Sequence, residues 1–192
     1  MATAPKKVVT GKVRLSYCAL FEPRSITSDD GTQTPPKYST VLLIPKSDKD
    51  TMAKLWAAES ATAEEQKAKF KGGKIPKDLK SVIHDGDEEA DLDSNPEYAG
   101  HWYMSVNSSE KYPPKVVDRQ LNPILDATEV YSGCYARVSL SPFAYSTRGN
   151  QGVSFGLRNV QKLADGDPLG GVSRAEDDFD SLDDEDDADG II

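Results

Sequence analysis

Cysteine and histidine are both scarce in this chain. The two cysteines, Cys18 and Cys134, fall in separate strand-like segments. A disulfide is the alternative, but they read better as two buried thiols of a cytosolic protein, because disulfides are rare in that compartment. The two histidines, His84 and His101, stand far apart with no cysteine paired to either, which removes the usual zinc spacings. No phosphate-cradling glycine loop occurs, since Lys71-Gly72-Gly73-Lys74 lacks the required spacing. No serine lies in a nucleophile-elbow pattern. The Asp85–Asp93 run briefly resembles a calcium loop. It has Ala90 where glycine is needed and Pro96 where the bidentate glutamate should fall, so it reads as a solvated acidic loop. These absences lead to the expectation of a non-enzymatic protein with no metal and no cofactor. Long apolar runs are missing too. Nothing approaches the ~20 residues of a membrane span, and Met1-Ala2-Thr3-Ala4-Pro5 leads into Lys6-Lys7 with no apolar stretch of a signal peptide. No membrane partner is expected.

Basic residues are absent from one place in particular, the stretch Ala175 to Ile192, AEDDFDSLDDEDDADGII, which holds ten acidic residues. The chain carries a net charge of −9, yet outside this stretch 22 acidic residues face 23 basic ones. The acidity belongs to the tail. Like charges repel and the few apolar residues cannot offset the entropy of ordering, so a disordered tail over 171–192 is expected. A plain solubility role is the simple alternative. Against it, Phe179 and Leu182 interrupt the acidic run and Ile191-Ile192 ends it, the layout of a peptide that docks into a basic-rimmed apolar pocket.

The remaining chain divides into a loose N-terminus over 1–7 and one domain over 8–170. Val8 to Leu20 reads as one strand, with Val13, Leu15, Tyr17 and Ala19 on the core side and Lys12, Arg14, Ser16 and Cys18 opposite. Residues 22 to 36 read as a loop, and Lys37 to Ile44 as a covered strand stopped by Pro45. Ser47 or Asp48 caps a helix to about Phe70, with Met52, Leu55, Trp56 and Ala63 on one stripe. Residues 81 to 99 read as a polar loop. Gly100 to Asn107 is a third strand, with Trp102, Met104 and Val106 inward. Lys111 to Asp118 allows an edge strand. Gly133 to Tyr145 and Gln151 to Leu163 alternate as two more strands around the Thr147–Asn150 turn. Several strands with one major helix between the second and third predict a mainly β protein, a small β-barrel of the OB-fold.

On the predicted strands, cations and rings alternate away from the apolar set. They are Lys12, Arg14, Tyr103, Tyr135, Arg137 and Arg158, with Phe143, Tyr145 and Arg148 at the corner before the last turn. Single-strand binders need this mixture, because cations track phosphates and flat rings stack on bases whatever their identity. A core role is the plainer reading for Trp102, Phe155 and Tyr17, which share parity with aliphatics.

The Val130–Gly170 stretch, VYSGCYARVSLSPFAYSTRGNQGVSFGLRNVQKLADGDPLG, resembles the C-terminal strands of a phage and prophage family of single-stranded-DNA-binding proteins with an OB-fold. The segments LSYCALFEP (15–23), KYSTVLLIPKSD (37–48) and KSVIHDGD (80–87) are similar to it as well. The resemblance implies a protein that coats single-stranded DNA during phage replication, recombination or repair, in the cytoplasm of the bacterial host. It also implies an acidic tail that recruits replication or recombination proteins, here through Phe179, Leu182, Ile191 and Ile192. The alternative is a structural or assembly protein of a phage built on a small β-barrel.

Overall fold

A computed structural model describes residues 3–170. The expectations for Phe179, Leu182, Ile191 and Ile192, and for a disordered tail, lie outside the described residues. The elements in chain order are β1 (Val8–Val9), β2 (Val13–Arg24), β3 (Lys37–Pro45), α1 (Lys49–Glu65), β4 (Lys80–Ser81), β5 (His84–Asp85), α2 (Gly86–Glu89), β6 (His101–Ser109), β7 (Lys115–Val117), β8 (Tyr135–Thr147) and β9 (Asn150–Ala164).

Five of these strands close on one another. β2 pairs with β3 and β3 with β6, both antiparallel. β6 meets β9 in parallel at Asn107 and Gly156. β9 forms a long hairpin with β8, and β8 returns to β2 through Val13↔Ala136. The circuit β2–β3–β6–β9–β8–β2 is a small five-stranded barrel, the OB architecture. Its interior is filled by Val13, Leu15, Leu42, Ile44, Met104, Val106, Val138, Leu140 and Phe155, all at 0–1% exposure. The alternation that marked these strands in the sequence exists because one face of each strand has to fill that interior.

α1 packs on the barrel and adds Met52, Leu55 and Ala58 to its core. Asp48 caps it, accepting from the Thr51 backbone N–H at 3.1 Å and from the Thr51 hydroxyl at 2.6 Å. Trp56 departs from the expected buried stripe. It is 44% exposed and meets the half-buried Trp102 edge to face, ring centroids 5.4 Å apart. A smaller apolar cluster of Ala63, Phe70, Ala144 and Val153 ties the far end of α1 to the β8–β9 hairpin. Both cysteines are free thiols.

Three further expectations from the sequence need correcting. The single strand over Val8–Leu20 breaks at residues 10–12. There Gly11 N–H donates to the Thr51 hydroxyl (2.8 Å) and Lys54 Nζ to the Val9 carbonyl (2.7 Å), so β1 docks on the helix before β2 begins. Tyr17 is not core. The pairing of β2 with β3 slips between Ser16 and Ala19, and Tyr17 adopts φ 47° with 63% of its surface exposed. A bulge of this kind inserts one residue and reverses the parity beyond it. The polar loop over 81–99 is instead a built flap, with β5, α2 and a 3₁₀ turn at Pro96–Tyr98. Ile83 and Tyr98 are buried in it. Asp85 caps α2 by accepting from the Asp87 backbone N–H at 2.9 Å. Gly86 fits beneath because any Cβ there would overlap the carbonyls of Tyr98 and His101.

Candidate nucleic-acid interface

The bulge in β2 sets the geometry of the site. It turns Tyr17 outward onto the face of β3 and β6, where Tyr103, Ser105 and Val41 also point. The flap supplies the facing wall. β5 pairs with β6 so that His84 lies opposite Tyr103, and the two rings stack with centroids 5.2 Å apart at 29°. Tyr98 meets Tyr103 edge-on at 4.9 Å and 65°. The Tyr17 hydroxyl donates to Asn95 Oδ1 at 3.0 Å, which holds the bulged ring against the flap. Tyr17, Val41, His84, Tyr98, Tyr103 and Ser105 line an open cleft of about 300 Å³. Partial burial raises the Tyr103 hydroxyl above its ordinary pKa, and the nearby Glu89 carboxylate adds to the shift. Glu89 itself is held low by the Asp85 backbone N–H and then by His84, whose Nδ1 lies 3.2 Å away.

A second cleft of about 320 Å³ continues the first, sharing Tyr17 and Ser105. Arg24, Lys37, Ser39 and Asn107 line it. Arg24 and Lys37 are Cα partners across β2 and β3, and neither forms an ion pair among the described residues. The groove therefore carries rings at one end and, at the other, two cations with no ion pair among the described residues. Beyond the ring end, Lys46 bonds Asp85 and Asp87 at 2.6 Å each and sits 5.2 Å over the Trp102 ring. Hydrogen bonding to the lysine holds both carboxyls below their usual range and raises the lysine in return. This clasp fastens the flap to the end of β3.

The residues singled out in the sequence fall into two groups around this groove. In the first, Lys12 Nζ lies 4.6 Å and the Arg14 guanidinium 5.6 Å from the centre of the Tyr135 ring. Arg14 donates to the Gly133 carbonyl (3.0 Å) and the Asp167 carbonyl (2.7 Å), tying the end of the domain to the start of β8. Tyr135, Arg14, Leu43 and Tyr103 are successive partners across four strands. Leu43 between them has no exposed surface, so this row is not an open track from Tyr135 to Tyr103. The second group lies on the outward face of the β8–β9 hairpin. Arg137 Nε donates to Gln161 Oε1 (2.6 Å) and Arg158 Nη1 to Ser141 Oγ (3.0 Å). Phe143 is 41% exposed beside Gly156, Tyr145 sits beside Gly152, and Arg148 occupies the turn. Gly156 pairs with Asn107, so Phe143 and Arg158 border the groove. Tyr103 alone of the expected set lies inside it.

Sequence reasoning did not select Tyr17, His84, Tyr98, Arg24 or Lys37. The first was hidden by the bulge and the next two by the flap. Arg24 and Lys37 did leave a signal, as two cations at the ends of strands joined by one loop.

The closed barrel with its surface groove places the protein in the OB-fold class. Within that class the chain belongs to the family described as "Enterobacter phage Enc34, ssDNA-binding protein", whose profile matches residues 6–189. Putative protein p50 of Acyrthosiphon pisum secondary endosymbiont phage 1 is 33% identical over 187 residues, spanning 92% of this chain and 94% of its own length. The single-stranded DNA-binding protein of bacteriophage Enc34, solved in complex with ssDNA, superposes with a TM-score of 0.67. It is 28% identical, and the match covers 86% of this chain and 90% of that one. The single-stranded DNA-binding protein gp2.5 of bacteriophage T7 shares the fold at a TM-score of 0.59 and 14% identity, over 94% of this chain and all of the other.

Proposed function

We propose that this protein binds single-stranded DNA along the groove of β2, β3 and β6, without catalysis and with little preference for sequence. The observation that carries the reading is the joined pair of clefts, with Tyr17, Tyr103 and His84 at one end and Arg24 and Lys37 at the other. Rings of this kind stack on any base, and cations at groove edges neutralise phosphates. Family membership and the relative solved with ssDNA support the same reading.

Phe143, Tyr145, Arg148, Arg158 and Arg137 extend the track over the hairpin beyond Gly156. Lys12, Arg14 and Tyr135 form a separate basic and aromatic patch that a longer strand reaches after leaving the groove. By coating exposed strands in the host cytoplasm, the protein serves phage DNA replication, recombination or repair. The acidic C-terminal residues recruit the partner proteins of those processes. Titration of the pure protein with labelled oligo-dT, oligo-rU and duplex DNA tests the reading. Saturable binding to oligo-dT, with duplex much weaker, is expected. Absence of a shift with every single strand would leave the structural or assembly role.

A further inference from the structure

The end of β2 and the segment around β7 enclose a concavity separate from the groove, a cleft of about 460 Å³. Leu20, Phe21, Tyr38, Pro114, Ile124 and Leu125 are among its walls, and Lys115 is its one charged residue. The floor is fixed. Leu20, Val116 and Ile124 are buried, and Ile124 N–H donates to the Val116 carbonyl at 2.9 Å. The rim is not covered, since Leu125 is 87% exposed. A preformed apolar cleft with a leucine standing in water beside it marks a contact site.

The anchoring of Leu169 argues for one occupant. Leu169 N–H donates to the Ser132 carbonyl at 2.8 Å. Ser132 lines a neighbouring cleft of about 290 Å³ that shares Leu20 and Phe21 with the apolar one and adds Arg24 together with Glu22. The chain thus leaves the domain at the mouth of a trough that leads into the apolar cleft. The ten residue steps from Leu169 to Phe179 reach at most about 35 Å, which exceeds the ~15 Å radius of gyration of a body this size. Phe179 and Leu182 supply apolar side chains, and Glu176, Asp177, Asp178 and Asp180 supply charge opposite to that of Lys115 and Arg24. Neither of those cations has an ion-pair partner among the described residues.

We propose that this cleft is the docking site of the chain's own C-terminal segment, with Phe179 and Leu182 in its apolar part and the flanking carboxylates at Lys115 and Arg24. Docking does not depend on the DNA-binding reading, and it is tested without DNA. The full chain carrying benzoylphenylalanine in place of Phe179 is irradiated and the cross-linked peptides are mapped. Cross-links within one chain to residues 20–21 and 113–125 are expected. Leu125→Glu should cut their yield several-fold, and Leu125→Met should retain it. Leu125 is too exposed for either change to threaten the fold. Cross-links scattered over the surface, or gathered in the Tyr17–Tyr103 groove, would overturn the proposal. So would cross-links at the cleft that join light and heavy chains in a mixed-isotope sample, because the occupant would then be a second copy.

Discussion

Tyr17 owes its place to one inserted residue in β2, and what it does there separates binding from stability. It is 63% exposed and Tyr103 lines the same cleft, so Tyr17→Ala and Tyr103→Ala should each weaken oligo-dT binding by about 1–3 kcal/mol, the usual worth of one base stacked on an aromatic ring. Fluorescence anisotropy measures this directly. The Tyr17 variant should melt within a few degrees of the parent. Phe155→Ala should do the opposite, because that ring is 1% exposed and emptying a core aromatic site costs about 3–5 kcal/mol. Tyr135→Ala should weaken binding less than Tyr17→Ala, since Lys12 and Arg14 already lie over its ring. The thiols make a pH prediction. Burial pushes Cys18 up from 9.0 to about 11, and burial raises Cys134 in the same direction. A thiol held neutral in the folded state contributes stability below the ordinary thiol pKa, and that contribution is lost as pH rises through about 9 to about 11. The melting temperature should fall across that window, and Cys18→Ala should flatten the fall.

At the scale of elements, the flap is the part of the molecule on which the groove most depends. Gly86→Ala would press a methyl group onto the carbonyls of Tyr98 and His101. Overpacking of this kind costs about 1–3 kcal/mol. Hydrogen exchange should show residues 82–98 losing protection first, with oligo-dT affinity falling alongside, because His84 and Tyr98 form one wall of the groove. The sequence showed the barrel strands and hid the flap for one physical reason. Val13, Leu15, Met104, Val106, Val138, Leu140 and Phe155 alternate because a closed sheet must fill its interior, and that period is local. The flap is held by contacts between distant residues, Tyr17 to Asn95 and Lys46 to Asp85 and Asp87, and its own composition is that of a solvated loop. The helix was legible at its Asp48 cap, but it ends at Glu65 and gives way to 3₁₀ turns before Phe70, and Trp56 stood on the apolar stripe without being buried. Tyr103 keeps the outward parity expected of it and lines the cleft, and Tyr17 was misplaced because a bulge leaves no mark on hydrophobic periodicity.

At the scale of the whole molecule, charge decides. The body is nearly neutral while ten carboxylates lie within Ala175–Ile192. Tethered to a DNA-binding body at high effective concentration, they are expected to compete with phosphates for Arg24, which lines both the groove and the trough beside the apolar cleft. Truncation after Arg174 should therefore tighten oligo-dT binding at low salt, with the gain shrinking as salt rises and screening sets in. Deletion of Ile191 and Ile192 alone should leave DNA affinity unchanged and reduce partner capture in a pull-down from infected cells. DNA is proposed to run along the groove between the Tyr103 and Arg24 ends. The most direct measurement is the salt dependence of oligo-dT affinity for the parent and for the Arg24→Ala/Lys37→Ala double variant. Each phosphate contact on a single strand contributes about −0.7 to the log–log slope, so the double variant should bind more weakly with a slope shallower by about 1.4. A parent slope near zero, or a double variant with unchanged affinity and slope, would show that DNA does not follow this groove.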